Sequence, residues 1–402
     1  MKNSKNYLIA IALLGAGLFA ACDNNESGGN ENPDVNNAQI EALATNSKWN
    51  NYLVAATEEL YNDCVKLWAA WAGPSALSVD ELAIVGGNAF WTNGGLNAPN
   101  GYAALVKNPG NGNYYSSGIN AIEATIIQGT MDIAGEVGGQ KIGGPYGHAL
   151  AGKYAQGVLE VESWYSWNSI TDYSDNIMSV RNSYLGVRGG TTASANSLSA
   201  FVKARNSTLD AAIIAAINAA YNGIRAMDAP FRNNLTGTKV VAAMTACADL
   251  EDIYKRELLP LVRGAGAAFD FTPILATYAD DIVVESYKDM KDKANALKEA
   301  AAAYTANPTN ARLSAVCDAW KAVRIPWEQS EAFLYGPADL LGLDPSLDSW
   351  PLDQDDILTI LNDNRLTTVQ QIQGAITGES VRGFHTIELL LFKDGQDRTI
   401  NN

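Results

Sequence analysis

Histidine is scarce in this sequence, because the 402 residues contain only two, His148 and His385. A metalloprotease of the zincin type needs two histidines one helical turn apart, a glutamate beside the first and a third metal ligand. His148 follows the glycine-rich stretch 143–147, which predicts a loop, and neither histidine has another near it in the sequence. A three-histidine metal site and a His-Glu-x-x-His site are therefore excluded.

Cysteine is almost as rare, and the chain has four. Beyond Cys22 there are Cys64, Cys247 and Cys317, each inside an apolar segment of helical periodicity. Three cysteines cannot all pair, so at most one disulfide can form, and buried thiols are favoured. The sequence contains no cysteine cluster with the spacing of a metal site.

Positive charge is also in short supply, since 28 Lys and Arg face 44 Asp and Glu, for a net charge of −16. Such a chain is repelled by phosphates, which argues against nucleic acid and against electrostatic docking on anionic lipid. It suits the binding of cations, or simply solubility outside the cell. The chain is 47% hydrophobic, so the part from about residue 39 onward has enough apolar material for one large core or two smaller ones.

The first 22 residues predict an export signal rather than part of the fold. Lys2 and Lys5 precede an apolar run over 7–21 that is too short to span a membrane. The run ends in Leu-Phe-Ala-Ala-Cys, which resembles a bacterial lipoprotein signal, so we expect Cys22 to be acylated and to anchor the protein outside the cytoplasm. An ordinary secretory signal cut nearby is the alternative, and both predict a location in the cell envelope. The polar residues 23–38 predict a flexible tether.

Strand-like alternation is almost absent, whereas apolar residues recur with helical spacing along most of the chain. The pattern predicts an all-α protein, with Thr309 as the N-cap of one helix and a boundary at 264–266. The stretch 86–144 is rich in Gly and Asn and predicts long loops around one helix at about 116–137. The predicted helices cover about 52–71, 197–227, 238–263, 272–305 and 310–334.

The segment 383–392 places His385 three positions before Glu388 in an otherwise apolar helical run. Residues three apart share a helix face, so the two side chains can reach a single point. A charged pair in such a run needs partners, because burying a lone carboxylate is costly. The pair therefore predicts either a polar site or a core histidine bonded to a neighbouring helix.

Two further stretches put polar groups where a helical core is expected. Arg324, Glu328 and Glu331 recur at helical spacing and share one face. In the other stretch Glu162 and Ser166 share a face among aromatic residues. Taken alone, each stretch also fits an exposed, salt-bridged helix or a capped turn.

Together the three stretches resemble the imelysin family of bacterial cell-envelope proteins, once grouped with metallopeptidases. Its mark is Gly-x-His-x-x-Glu, and the family also has a helix with Trp and then Arg, a Glu-Ala-Phe element running into Gly-Pro, a Trp-Pro-Leu-Asp element, and a Glu-Ser-x-x-Ser element followed by Asp. The matching residues are Gly383, His385 and Glu388; Trp320 and Arg324; Glu331, Ala332, Phe333, Gly336 and Pro337; residues 350–353; and Glu162, Ser163, Ser166 and Asp172.

The order of these motifs differs from the usual order in the family. Residues 39–265 look like the family's second half and 266–402 like its first, which the simplest account explains as a circular permutation. Helical bundles tolerate this when old and new termini lie on the surface. The resemblance implies two packed bundles of the four-helix type, one in each of these segments.

The residues themselves limit the chemistry of the predicted site. One imidazole with several carboxylates suits iron or another divalent or trivalent metal that prefers oxygen ligands. Arg324 would compete with a cation, and could instead hold Glu328 or Glu331 in place or meet a small anionic chelate. Serine-type hydrolysis by Ser163 or Ser166 with His385 can be imagined, but no nucleophile-elbow pattern supports it.

The resemblance points the same way, because it implies iron-regulated relatives and iron-uptake systems. We expect a lipid-anchored protein that binds a metal ion or small chelate, with an envelope transport partner, and without turnover. An envelope metallopeptidase-like hydrolase and a structural surface lipoprotein are the alternatives. The predicted site residues are His385, Glu388, Glu331, Glu328, Arg324, Glu162, Ser166 and Asp172.

Overall fold

The computed structural model describes residues 39–44, 47–92, 96–110, 112–266 and 269–400. The predicted signal, Cys22 and the whole of the predicted tether 23–38 lie outside these residues. The three cysteines that follow Cys22 are buried free thiols, as the sequence predicts. In the described part of the chain, no helix is long and apolar enough to cross a membrane.

The regular secondary structure of the described residues is helical apart from one short hairpin, which confirms the all-α prediction. The α-helices are α1 Ser47–Ala72, α2 Val79–Ile84, α3 Tyr102–Lys107, α4 Gly118–Ile122, α5 Gln128–Glu136, α6 Gly143–Leu150, α7 Tyr154–Leu159, α8 Ser169–Leu185, α9 Leu198–Arg205, α10 Ser207–Arg225, α11 Thr238–Ile253, α12 Leu259–Gly264, α13 Thr272–Thr277, α14 Glu285–Ala306, α15 Asn310–Glu328, α16 Pro337–Leu340, α17 Leu343–Asp348, α18 Gln354–Asn362, α19 Val369–Gln373 and α20 Gly383–Leu391.

Shorter or irregular elements connect these helices. A two-stranded antiparallel hairpin follows α20, with β1 Phe392–Lys393 paired to β2 Gln396–Asp397. The π-helical segments are Glu123–Ile127, Val137–Ile142, Tyr254–Leu258 and Tyr278–Val284, and they join α-helices into continuous rods over 118–150, 238–264 and 272–306. The 3₁₀ segments are Pro74–Ala76, Asn88–Trp91, Phe231–Asn233, Glu331–Phe333 and Glu379–Val381.

Helices α1, α14, α15 and α20 pack side by side as a first bundle. Helix α1 buries an apolar face and ends before Gly73, whose φ of 86° is left-handed backbone that favours glycine. Helix α15 begins where predicted, because the Thr309 side chain accepts a hydrogen bond from the Arg312 backbone N–H.

Helices α5, α8, α10 and α11 pack as a second bundle, and α8 also packs against α15 of the first. The packing does not follow the predicted division into 39–265 and 266–402, because α1 lies against α14 and α20. The apolar face of α1 is buried by helices from the far end of the chain, which its local pattern does not reveal.

Several predicted helix boundaries need correction. The helix predicted over 197–227 breaks at Asn206, whose side chain caps α10 by accepting from the Leu209 N–H. The helix predicted over 310–334 ends at Glu328, two residues after Pro326. The helix predicted at about 116–137 instead continues to Leu150, so His148 is helical rather than in a loop. Two π segments, Glu123–Ile127 and Val137–Ile142, lie within this rod, and the second contains Gly138 and Gly139.

Candidate functional site between the bundles

Helix α20 carries the Gly-x-His-x-x-Glu motif, and all nine of its residues are buried. Gly383 has a φ of 84°, and a Cβ at this position would overlap the carbonyl oxygen of Leu347 at the end of α17. Glycine has no Cβ to overlap this oxygen and adopts a left-handed φ without strain. The glycine of the motif is therefore explained by the close approach of the two backbones. This approach brings α17 beside His385.

His385 lies between two carboxylates. Its Nδ1 is 2.9 Å from Glu388 Oε2, and its Nε2 is 3.2 Å from Asp348 Oδ1. The ring also meets Trp350 edge-on, with 5.0 Å between the ring centroids. Burial acts to lower the pKa of His385, but Asp348 and the hydrogen bond with Glu388 outweigh it and raise the pKa above its usual value. The two carboxylates therefore favour the protonated form of the imidazole.

Glu388 contacts a loop that lies more than two hundred residues earlier in the sequence. Its Oε1 accepts hydrogen bonds from the Tyr165 N–H at 3.1 Å, the Ser166 N–H at 2.8 Å and the Ser166 hydroxyl at 2.7 Å. With His385 on its other oxygen, the fully buried carboxylate has all its partners. The His-x-x-Glu pair thus fixes the loop 160–168 to the first bundle.

This loop has an unusual backbone. Ser163 and Trp167 have φ values of 51° and 62°, and such left-handed conformations cost about 1–3 kcal/mol for residues other than glycine. Asp172 on α8 compensates, because its carboxylate accepts from the Ser163 hydroxyl at 2.5 Å and the Asn168 amide at 2.7 Å. Burial raises the pKa of Asp172, although Arg324 acts against it.

Arg324 is fully buried and pairs with acids from three elements. Its guanidinium contacts Asp348 of α17 and Glu328 of its own helix, and one nitrogen lies 3.7 Å from Asp172 Oδ2. Burial raises the pKa of Glu328 well above its usual value, although Arg324 opposes this shift. Burial also acts to raise the pKa of Asp348, but Arg324 and His385 outweigh it and hold that pKa below its usual value. Arg324 and His385 therefore share Asp348, which joins them into one network.

Glu331 belongs to a second group, centred on Lys141. The Lys141 Nζ lies 3.2 Å from Glu162 Oε2, 3.7 Å from Glu331 Oε1 and 4.0 Å from Glu136 Oε1. Burial acts to lower the pKa of Lys141, but Glu162 and Glu331 outweigh it and raise the pKa well above its usual value. Burial also raises the pKa of Glu331 well above its usual value, with Lys141 opposing. Glu162 and Glu136 keep 21% and 39% of their side chains exposed, so this group meets solvent.

The predicted site residues thus lie in two adjoining groups. Six of them form the His385 group: His385, Glu388, Ser166, Asp172, Arg324 and Glu328. Glu331 and Glu162 lie instead on Lys141. Sequence reasoning missed Asp348 and Lys141; Asp348 stands just before the 350–353 element, and Lys141 is a lone cation in a glycine-rich stretch.

The geometry limits the chemistry as well. Within the described ranges, no three His, Cys, Asp or Glu side chains are arranged to hold a metal ion together. The Ser166 and Ser163 hydroxyls donate to Glu388 and Asp172 rather than to His385. A serine nucleophile needs its base within hydrogen-bond reach, so this arrangement does not provide a catalytic triad.

Comparison with known proteins agrees with the motifs. The family model for Imelysin matches residues 25–255 and 283–402. The crystal structure of an imelysin peptidase from Bacteroides ovatus is 37% identical, with a TM-score of 0.76 over 89% of this chain and 97% of that one. Iron-regulated protein A of Synechococcus elongatus is 38% identical over 115 residues, which are 29% of this chain and 30% of that relative. The chain thus matches less than a third of that relative's length. The family model and the structural match establish that this chain belongs to the imelysin family.

Proposed function

We propose that this protein binds iron or another metal cation, or a small metal chelate, between its two bundles. It acts as a lipid-anchored envelope component of iron acquisition, attached through Cys22, and passes its ligand to a transport partner without turnover. The iron-regulated relative and the predicted export signal support this assignment.

The observation that carries the proposal is the excess of carboxylates around Lys141. Glu162, Glu331 and Glu136 approach one ammonium group within 4.0 Å. Asp344 also interacts electrostatically with Lys141. Burial, with Asp348 adding to it, raises the pKa of Asp344 to about 7. Several acids around a single cation attract further positive charge, and oxygen ligands suit iron and manganese.

The His385 group holds one of these carboxylates in position. Glu388 fixes the loop 160–168, and that loop carries Glu162 to Lys141. The Gly-x-His-x-x-Glu motif therefore positions a ligand without touching the metal itself. Partners of this kind matter, because losing one typically weakens metal binding about 10–100-fold.

Calorimetry with Fe(II), Mn(II) and ferric citrate tests the proposal. Glu331→Gln should lower affinity at least 10-fold, because it removes a ligand, and Glu388→Gln should lower it about 10–100-fold by releasing the loop. The matched control is Asp210→Asn, which alters a buried carboxylate held by Tyr184 and Ser199 within the second bundle.

The outcomes separate the three functions. Metal binding that is weakened by Glu331→Gln and not by Asp210→Asn supports the proposal. Peptide cleavage that depends on His385 and is stopped by a chelator, with no stable metal binding, would establish the hydrolase instead. A wild-type protein that neither binds these probes nor cleaves peptides would be a structural lipoprotein.

A further inference from the structure

We propose that the segment 39–44, which follows the predicted tether in the sequence, controls the order of the loop 160–168 through the hairpin of β1 and β2. This inference goes beyond the proposed function, because it holds whatever ligand the site takes. It makes the hairpin a link between the start of the fold and the loop that Glu388 fixes.

The turn of the hairpin contacts the loop 160–168 directly. The Gly395 N–H donates to the Tyr165 carbonyl oxygen at 2.9 Å, whereas the Tyr165 N–H donates to Glu388. Gly395 has a φ of 74°, and a Cβ at this position would overlap the indole ring of Trp167. Both backbone groups of Tyr165 are thus held, so the order of the loop depends on the hairpin as well as on Glu388.

The base of the hairpin is held to α20 by Arg398, which is only 4% exposed. The Arg398 N–H donates to the Leu391 carbonyl oxygen at 2.8 Å, and its Nε donates to the Leu389 carbonyl oxygen at 3.1 Å. Carbonyl groups at the end of a helix have no partner within the helix, so these two bonds cap α20. A displacement of Arg398 would therefore loosen both the hairpin and the end of the helix that carries Glu388.

Glu41 in turn holds Arg398 in place. Its Oε2 accepts from Arg398 Nη1 at 2.9 Å and its Oε1 accepts from Arg398 Nη2 at 2.5 Å, which makes the pair bidentate. Lys393 of β1 lies 3.1 Å from Oε2 of the same carboxylate. Burial acts to raise the pKa of Glu41, but Arg398 and Lys393 outweigh it and lower the pKa. One ionised carboxylate of the segment 39–44 thus binds both sides of the hairpin.

Removal of Glu41 should loosen the loop without unfolding the protein. A partner that binds the segment 39–44 and draws Glu41 away would leave Arg398 buried without its counter-charge, which is costly. Arg398 would then turn towards solvent and give up its bond to α20. Asp397 of β2 still binds α15, through Lys321 at 3.1 Å and Ser314 at 3.0 Å, so the hairpin stays attached. The effect is therefore a local opening of the kind that amide hydrogen exchange detects.

Hydrogen exchange on the full-length protein compares wild type, Glu41→Gln and Gly395→Ala. The amides of Tyr165 and Ser166 should exchange at least about tenfold faster in both variants, which is the size expected for one lost hydrogen bond to a charged group. Amides of α11, in the second bundle, should not change.

The matched control is Glu123→Gln. Glu123 forms a bidentate pair with Arg263 at 2.9 and 3.1 Å, and its side chain is 24% exposed, compared with 22% for Glu41. This variant removes an equivalent ion pair that does not involve the hairpin. It should leave the exchange of Tyr165 and Ser166 as in wild type.

Faster loop exchange in Glu41→Gln and Gly395→Ala, with α11 and the control unchanged, supports the inference. Faster exchange in Gly395→Ala alone would show that the hairpin holds the loop but the segment 39–44 does not control it. An equal increase throughout the chain would be a global loss of stability, and unchanged loop exchange would mean that Glu388 alone orders the loop. Each of these three results overturns the inference. If Glu41→Gln does not fold, Lys393→Met replaces it, because it removes the more exposed partner of Glu41.

Discussion

Replacing Asp344 with asparagine should stabilise the protein at alkaline pH and have little effect in acid. Asp344 stands in the first turn of α17, near Asp348 and Glu331. Burial, with Asp348 adding to it, raises its pKa from the ordinary 3.8 to about 7. The folded protein therefore keeps a proton on Asp344 at pH values where the unfolded chain has lost it.

The sign and size follow from proton linkage. Because the native state binds more protons between about pH 4 and 7, the free energy of unfolding falls as pH rises through that window. Each pKa unit corresponds to 1.36 kcal/mol, so a shift from 3.8 to about 7 sets an upper limit of about 4 kcal/mol. The side chain is only partly buried and water screens it, so we expect Asp344→Asn to gain roughly 1–2 kcal/mol at pH 8.

Urea unfolding of both proteins at a series of pH values measures this difference. The gain should be near zero at pH 4, grow between pH 5 and 7, and level off above pH 8. The exposed Asp281 provides the control, and Asp281→Asn should show no such pH-dependent gain. A gain that is absent at pH 8, or the same at every pH, would refute the reasoning.

Three further predictions concern the buried network, the motif glycine and the anchor. Arg324→Met should cost about 3–5 kcal/mol in urea unfolding, because it leaves Glu328 and its other acids buried without their cation. Gly383→Ala should lower the melting temperature, because a Cβ would overlap the Leu347 carbonyl at a φ of 84°. Cys22→Ser should move the protein from the membrane fraction to the soluble fraction, because it removes the predicted acylation site.

Controls for these changes lie elsewhere in the chain. Arg365→Met alters an arginine that is 89% exposed, and should leave stability nearly unchanged. Gly139→Ala adds a methyl group where nothing lies within 4 Å, and should be far milder than Gly383→Ala. If Gly383→Ala is tolerated equally well, close approach is not the reason for the motif's glycine. If the Cys22→Ser protein stays with membranes and wild type carries no lipid, the lipoprotein prediction is wrong.

Local spacing was sufficient where the interaction itself is local. His385 and Glu388 are three residues apart, and their pairing at 2.9 Å follows from helix geometry. Arg324 and Glu328 are four apart and pair for the same reason.

The circular permutation and the role of the site residues as metal ligands remain predictions.

Contacts between distant segments could not be predicted in this way. Glu388 and Ser166 are 222 positions apart, and nothing in either segment indicates that the carboxylate meets two backbone N–H groups there. Glu331 shares a helical spacing with Arg324 and Glu328, but α15 ends at Glu328, so the 3₁₀ turn that follows directs Glu331 to Lys141. The helical spacing of the three residues is present in the sequence, but the helix ends before Glu331, so Glu331 does not lie on the same helix face as the other two.

The sequence by itself determined the all-α class, the membership of the imelysin family and the absence of a zincin site. These conclusions depend on periodicity, ordered motifs and the count of histidines, which can be read from the sequence without knowing how the chain folds. Only the tertiary structure decided that the acids divide between Arg324 with His385 and Lys141, and that α1 joins the bundle of the chain's far end. The reason is physical: a buried charge takes its partners from whichever elements the packing brings within a few ångströms, and packing depends on the whole chain.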